Sequence, residues 1–278
     1  MTPEQEAVQT AHAMLFVPAN RPERFAKAAE SGAGAIVIDL EDAVAPPDKD
    51  PARAGLASLP AVPVVIRVNA PGTQWHDADM EAVRRLSPAA VMLPKSETAP
   101  QVQMACRALG PIPVIALIET ARGLAHSRQI AAVDGVVRLA FGSVDYCADL
   151  RCAHEQAILL PARSEIVLAS RLADLAPPLD GVTVEIRDDT RVAAEAGHSR
   201  ALGMGGKLAI HPAQVAPILA AFHPSPSEID WARRVLASGD GAVSIDGAMV
   251  DAPVRARARR ILAASDHEMV PSKDGKII

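Results

Sequence analysis

Short, β-branched apolar runs alternate along the chain with longer stretches whose apolar residues recur every three or four positions. The runs predict strands at Met14–Val17, Ala35–Leu40, Val64–Val68, Ala90–Leu93, Val114–Ile118, Val136–Phe141, Val182–Ile186 and Lys207–Ile210. Between them, helical spacing predicts helices at Pro22–Glu30, Arg53–Ser58, Asp77–Leu86, Ala99–Leu109, Gly123–Ala132, Ser164–Leu175 and Asp189–Leu202. A series of βα units of this length predicts a (β/α)8 TIM-type barrel over residues 1–222. The rival, a doubly wound open sheet, is disfavoured because no GxGxxG follows the first strand. After Phe222 the pattern changes. Residues 223–278 read as a C-terminal extension: a helix capped by Ser227 with Ile229, Trp231, Val235 and Leu236 as its apolar stripe, a hairpin-like excursion through DGAVSIDGAMVDAPV, a helix over Ala252–Ser265, and a loosely ordered tail, PSKDGKII.

Composition narrows the picture. The 278 residues are 49% hydrophobic and only 3% aromatic, so Ala, Val, Leu and Ile fill the interior, as in a parallel sheet covered on both faces. A net charge of −5 gives no basic footprint for nucleic acid. The three cysteines, Cys106, Cys147 and Cys152, form no CxxC pair and no zinc spacing, which fits reduced thiols in a cytoplasmic protein. No apolar run reaches the roughly 20 residues needed to span a bilayer, and the N-terminus lacks an apolar signal core.

In a parallel barrel the chemistry sits at the C-terminal ends of the strands. Here those ends carry Pro18-Ala19-Asn20-Arg21, Asp39 to Asp42, Arg67-Val68-Asn69, Pro94 to Glu97, Glu119-Thr120, Gly142 to Asp145, Glu185 to Asp189, and His211-Pro212. Glu119 and Asp145 come from adjacent strands, so their carboxylates converge. Like charges that close require a cation or a proton between them. An oxygen-only pair favours Mg²⁺, with water and substrate completing the shell; solvated loop acids or helix caps are the plainer alternative. Arg67 offers a planar fork for an anionic substrate, or else an ion pair with Asp39 or Glu41. Asp39, Glu41 and Asp42, with Lys95, either form an outer shell around a metal and its waters, or the acids cap a helix and pair with Arg67 or Lys95. Arg21, Arg24 and Lys27 at the barrel mouth suit the phosphates of a carrier such as coenzyme A, or form an ordinary solvated helix face. Phe16 packs on the carrier or on the barrel wall. Lys95 and Lys207, at strand borders, remain candidates for a Schiff base. GMGGKLAIHP is neither a P-loop nor a dinucleotide fingerprint, and His211 has a weak claim as a base.

The segments LFVPANRPERFAKA, DLEDAV, VIRVN, VMLPKSE, ALIET, FGSVDYCADL, GKLAIHPAQV and GAMVDAPV, in that order from about Met14 to about Leu262, resemble the citrate lyase beta subunit family, in the malyl-CoA and citramalyl-CoA lyase group. The resemblance implies a TIM-type barrel, Mg²⁺ dependence and reversible carbon–carbon cleavage of a 3-hydroxy-carboxyacyl thioester carried on coenzyme A or an acyl carrier. It implies Glu119 and Asp145 as metal ligands and Arg67 as the substrate-binding arginine. Phe16 and Arg21 resemble carrier contacts, and Ile210 and His211 the substrate-contact turn. Asp251 resembles the acid that coenzyme A-dependent members place in a neighbouring subunit's site, which implies a homotrimer or a hexamer of trimers. The chain departs from the pattern at Glu23, where relatives that bind coenzyme A often carry lysine. Rival functions are a class II metal-dependent aldolase on free 2-oxo acids, a citrate lyase component served by an acyl carrier protein, and a non-enzymatic thioester binder.

Overall fold

The computed structural model describes residues 1–239 and 243–266. Eight parallel strands close into a barrel in sequence order: β1 Ala13–Pro18, β2 Ala35–Asp39, β3 Val64–Arg67, β4 Ala90–Leu93, β5 Val114–Ile118, β6 Val136–Phe141, β7 Ala176–Asp180 and β8 Gly206–Ala209. Closure comes from β1 pairing β8, with Ala13, Met14 and Leu15 opposite Lys207, Leu208 and Ala209. This is a TIM-type barrel. Two compact units divide the chain, Met1–Phe222 and His223–Ile278.

Period-two alternation along each strand builds the interior. Met14, Ala35, Val37, Val65, Ala90, Met92, Ile115, Leu117, Ala140, Leu179 and Leu208 point inward as one apolar cluster. The opposite faces of the same strands, through Leu15, Ile36, Ile38, Ile66, Val91 and Leu139, pack under the helices in a second, larger cluster. Carrying the inward parity two residues further along β2, β3 and β5 places Asp39, Arg67 and Glu119 in the barrel mouth.

The floor of the barrel was not foreseen. Residues Pro3–Thr10 form a helix capped reciprocally by Thr2 and Gln5, and its Val8 and the following Ala11 join the interior cluster. Arg138 on β6 locks this plug in place. Its Nε donates to Pro177 O at 2.7 Å, and its Nη1 donates to Val8 O at 3.0 Å and Ala11 O at 2.9 Å. Burial without an acidic partner pulls the Arg138 pKa down to about 9.

The seventh strand departs from expectation. Val182–Ile186 is loop, and the strand is APPLD, six residues earlier. Two prolines, which cannot donate to a ladder, hid it. The barrel accommodates them because the β6–β7 register is irregular there, and the Pro177 and Pro178 carbonyls accept from Arg138 and from Gly205 N at 2.8 Å. The residues expected to end that strand on the rim are displaced accordingly. Asp188 caps the helix Asp189–Leu202 by accepting from Arg191 N at 2.9 Å, and Glu185 pairs with Arg191 on the surface at 2.8 Å.

Asp180, the true end of β7, points outward under the helices into a sealed ionic cluster. It accepts from Arg163 Nε at 2.8 Å and from the Ser199 hydroxyl, and lies 3.4 Å from Lys207 Nζ. Burial would raise its pKa, but Lys207, Arg163 and these hydrogen bonds win and hold it at about 2. Lys207 is fully buried and also donates to Gly181 O at 2.7 Å. That removes it as a Schiff-base candidate, because no substrate can reach it.

The second unit has its own small core of Ala232, Val235, Val250, Ala258 and Ile261. Ser225, not Ser227, caps the helix Pro226–Ala237, in a reciprocal box with Glu228. A hairpin pairs β9 Val243–Ile245 with β10 Ala248–Val250 through Asp246-Gly247, both at positive φ, and Arg234 grips Asp246 with two hydrogen bonds of 2.9 and 2.8 Å. The helix Ala252–Asp266 follows. The start of the DGAVSIDG excursion and the tail PSKDGKII lie outside the described residues. Among the described residues no helix is long and apolar enough to cross a membrane.

Removing the Asp180 charge takes from buried Arg163 the carboxylate it pairs with and leaves Lys207 only the more distant Glu195, at 3.6 Å. Asp180→Asn is expected to lower unfolding stability by about 3 kcal/mol or more near neutral pH. Equilibrium denaturation in urea reads this directly; a loss below about 1 kcal/mol would mean that Arg163 and Lys207 are satisfied without the carboxylate.

Candidate active site

A cavity of about 430 Å³ opens at the C-terminal mouth of the barrel. Phe16, Asp39, Asp42, Arg67, Glu119, Asp145 and Ile210 all line it, together with apolar walls from Leu117, Phe141, Val182 and Leu208. Residues from β1, β2, β3, β5 and from the segments after β6 and β8 thus meet in one place.

Glu119 follows β5 directly and is 1% exposed. Its Oε1 accepts from Lys95 N at 2.8 Å and lies 3.3 Å from Lys95 Nζ. Asp145 sits in the first turn of the helix Ser143–Leu150, where unpaired N–H groups favour negative charge, and its Oδ2 lies 3.2 Å from the same Nζ. The two carboxylates therefore converge, each within hydrogen-bonding range of one ammonium. Gly142 makes this possible: a Cβ there would lie 2.5 Å from Glu119 Oε2. Burial pushes the Glu119 pKa up to about 7, against the pull of Lys95 and Arg67 and with a further push from Asp145.

Arg67 ends β3 opposite Asp39 on β2. Its Nε and Nη2 each donate to Asp39 at 2.7 Å. Asp39 also accepts from the Glu41 and Ala43 amides, at 2.9 and 3.0 Å, so it organises the loop as well as the arginine. The ion pair left open in the sequence exists. The remaining amine, Nη1, lies near Glu41 at 3.1 Å and the largely exposed Asp42 at 3.2 Å. Phe16 stacks over the guanidinium, its ring centre 4.9 Å from Cζ. Burial opposes the Arg67 charge, but Asp39, Glu41 and Asp42 outweigh it and raise its pKa further.

Glu41 is nearly buried, and its Oε2 meets Arg67 without an aligned hydrogen bond. Burial pushes its pKa up to about 8, with Arg67 opposing and Glu119, Asp42 and Asp39 adding to the push.

Other expected residues stand apart. Arg21 is exposed and paired with Glu23 at 2.6 Å, and does not line the cavity. His211 accepts from Ala213 N at 3.2 Å and caps the turn after β8. Asn69 is tied to Asp79 by its amide N–H and side chain, at 2.8 and 2.6 Å. Asp251 lies in the second unit, where its Oδ1 caps the helix Ala252–Asp266 by accepting from Val254 N at 3.1 Å. Ser143, among the strand-end residues read from the sequence, lines the cavity and meets His154 Nε2 at 2.8 Å; His154 was not foreseen.

The donor set fits a hard divalent cation. Among the described residues no three or more His, Cys, Asp or Glu side chains gather as a complete cage. Two converging carboxylates leave the other positions to water and substrate oxygens, the arrangement magnesium prefers. An ammonium already takes the cationic place between them. Lys95 is a poor Schiff-base nucleophile for the same reason: burial opposes its charge, but Glu119 and Asp145 raise its pKa and keep it protonated.

A family model described as HpcH/HpaI aldolase/citrate lyase matches residues 12–212. The chain belongs to the HpcH/HpaI aldolase/citrate lyase family. It is accordingly a carbon–carbon lyase. A citrate lyase subunit beta-like protein from Mycobacterium tuberculosis is 41% identical over 89% of this chain and 93% of its own length. A (3S)-malyl-CoA thioesterase from Cereibacter sphaeroides is 32% identical over 91% of this chain and 94% of its own. The crystal structure of protein CitE from Mycobacterium tuberculosis in complex with magnesium, acetoacetate and coenzyme A superposes with a TM-score of 0.85 at 39% identity, over 93% of this chain and 99% of that one. The names of these relatives differ in substrate and reaction.

The raised acids predict a pH signature in the metal-free protein. From about pH 4.5 up to about 7 for Glu119 and about 8 for Glu41, the folded state holds protons that the unfolded chain has released, so these groups lower stability as pH rises. Glu41→Gln is expected to flatten the upper part of that fall, read by urea denaturation at several pH values. Parallel profiles for variant and parent would contradict the buried, protonated Glu41.

Proposed function

We propose that the chain is a Mg²⁺-dependent lyase that cleaves or forms a 3-hydroxy-carboxyacyl thioester of malyl, citramalyl or citryl type, giving a 2-oxo acid and an acyl thioester. The observation that carries this reading is the convergence of Glu119 and Asp145 on one point of a cavity that Arg67 also lines. Relatives supply the chemical context: CitE was crystallised with magnesium, acetoacetate and coenzyme A, and a thioesterase of malyl-CoA shares a third of the residues.

In this reading Glu119 and Asp145 hold the metal, which when bound supplies Lewis-acid polarisation of the substrate's oxygens. The chain does the rest. Arg67 Nη1 exchanges Asp42 for the substrate and meets the negative charge that develops as the bond breaks, while Asp39 keeps the guanidinium plane fixed. Phe16, Leu117, Phe141 and Leu208 keep water from the reacting carbons. Cleavage passes the hydroxyl proton to solvent water as the C–C bond breaks and the C=O of the 2-oxo acid forms, and leaves the bonding electron pair on the carbon next to the thioester, which takes up a proton in turn. Asp251 of the partner subunit is the proposed donor, in a homotrimer or a hexamer of trimers. The carrier is coenzyme A or an acyl carrier protein, approached along Phe16, Arg21 and the Ile210-His211 turn. The setting is cytoplasmic.

Two measurements decide it. Incubating the protein and Mg²⁺ with malyl-, citramalyl- and citryl-thioesters and with the matching free hydroxy acids is expected to release 2-oxo acid from a thioester alone; release from the free acids would favour a class II aldolase instead. Arg67→Ala is expected to lower kcat/KM by about a thousandfold or more with the fold retained. Activity near that of the parent would remove Arg67 from the site.

A further inference from the structure

Lys95 contacts the acidic pair in an unusual way. Its backbone is left-handed, with φ 47°, and this turns both its N–H and its ammonium onto a single oxygen, Glu119 Oε1, at 2.8 and 3.3 Å. The ammonium also reaches Asp145 Oδ2 at 3.2 Å. The other Glu119 oxygen, Oε2, rests against Gly142 on the cavity wall. The Lys95 side chain is one-third exposed, so it is a tethered charge at the edge of the site and not a sealed structural one.

Charge balance follows from these contacts. Two carboxylates facing one ammonium leave a single negative charge for a divalent ion. That ion must also approach within several ångströms of a fixed positive charge, which weakens its binding by about tenfold or more even with the screening typical of proteins. An anionic 2-oxo acid changes the balance, because its carboxylate and carbonyl oxygens add ligands and restore the negative charge.

We infer that Lys95 makes metal loading conditional on the anionic substrate, so that the free chain holds Mg²⁺ weakly and ion and oxo acid are taken up together. This rests on the metal reading of Glu119 and Asp145 given above. The linkage is reciprocal: magnesium tightens the oxo acid by the same factor as the oxo acid tightens magnesium. Lys95 is thus a positioning residue that sets binding order, acting through the carboxylates it holds.

Calorimetric titration of MgCl₂ into metal-free protein, at about pH 8.5 to keep Glu119 ionised, tests this with pyruvate as the oxo-acid probe. Saturating pyruvate is expected to tighten Mg²⁺ by about tenfold or more in the parent. Lys95→Met keeps the side-chain stem and the backbone N–H. It is expected to bind Mg²⁺ alone about tenfold more tightly, and to gain less than about threefold from pyruvate. Lys95→Arg should keep the parent pattern, and Lys95→Gln offers a second neutral variant should Lys95→Met fold poorly. Equal or weaker Mg²⁺ binding by the neutral variants, or an undiminished pyruvate effect, would overturn the role of Lys95. A parent that takes up no Mg²⁺ even with pyruvate would instead overturn the metal reading beneath it.

Discussion

Two carboxylates share one small volume at the mouth of an apolar barrel, and like charges there cannot both stay ionised without a cation between them. Glu119 is almost fully buried, and Asp145 reaches it from the next βα unit. Burial raises the Glu119 pKa, Asp145 adds a smaller push, and the Lys95 ammonium between the two carboxylates opposes both. Much of the surrounding architecture serves this contact. Gly142 admits Glu119, the left-handed backbone at Lys95 brings an amide and an ammonium onto one oxygen, and the helix Ser143–Leu150 presents its first turn to Asp145.

A second balance operates across the cavity. Arg67 is the counterweight to the acidic side, yet it is not free: Asp39 takes two of its nitrogens, and Nη1 lies against Glu41 and Asp42. A rigidly held guanidinium loses little freedom when an anion arrives, and Phe16 stacked on its face adds to that order. Asp39 thus does structural work for the residue proposed to meet the substrate. The outer ionic cluster around Asp180 differs in kind. It has no opening to substrate and contributes to how β7 and β8 seat against their helices.

The fold was legible because hydrophobic period is a physical signal. Strands such as Ala90–Leu93, Val114–Ile118 and Val136–Phe141 fall where the apolar runs predict, and inward parity carried past their ends leads to Glu119. The signal failed where backbone chemistry opposed it. In APPLD, proline masks a strand, while Val182–Ile186 imitates one with β-branched residues that lie in a loop. The floor helix Pro3–Thr10 and the buried Arg138 that ties it down were missed because their partners are carbonyls distant in sequence. Within the site, residue types revealed the acids and the arginine. They offered the Arg67–Asp39 pair only as one alternative and could not reveal that Lys95 lies between Glu119 and Asp145, since both depend on side-chain geometry across strands.

The convergence of Glu119 and Asp145 on one cation is the point on which the account stands. Crystals grown with Mn²⁺ in place of Mg²⁺, together with pyruvate, would locate the ion by its anomalous scattering. The predicted result is one strong peak in the barrel mouth, bonded to a Glu119 oxygen and an Asp145 oxygen, with pyruvate completing its shell and Arg67 facing the ligand. A peak elsewhere, or none while Lys95 still bridges the two acids, would contradict the account.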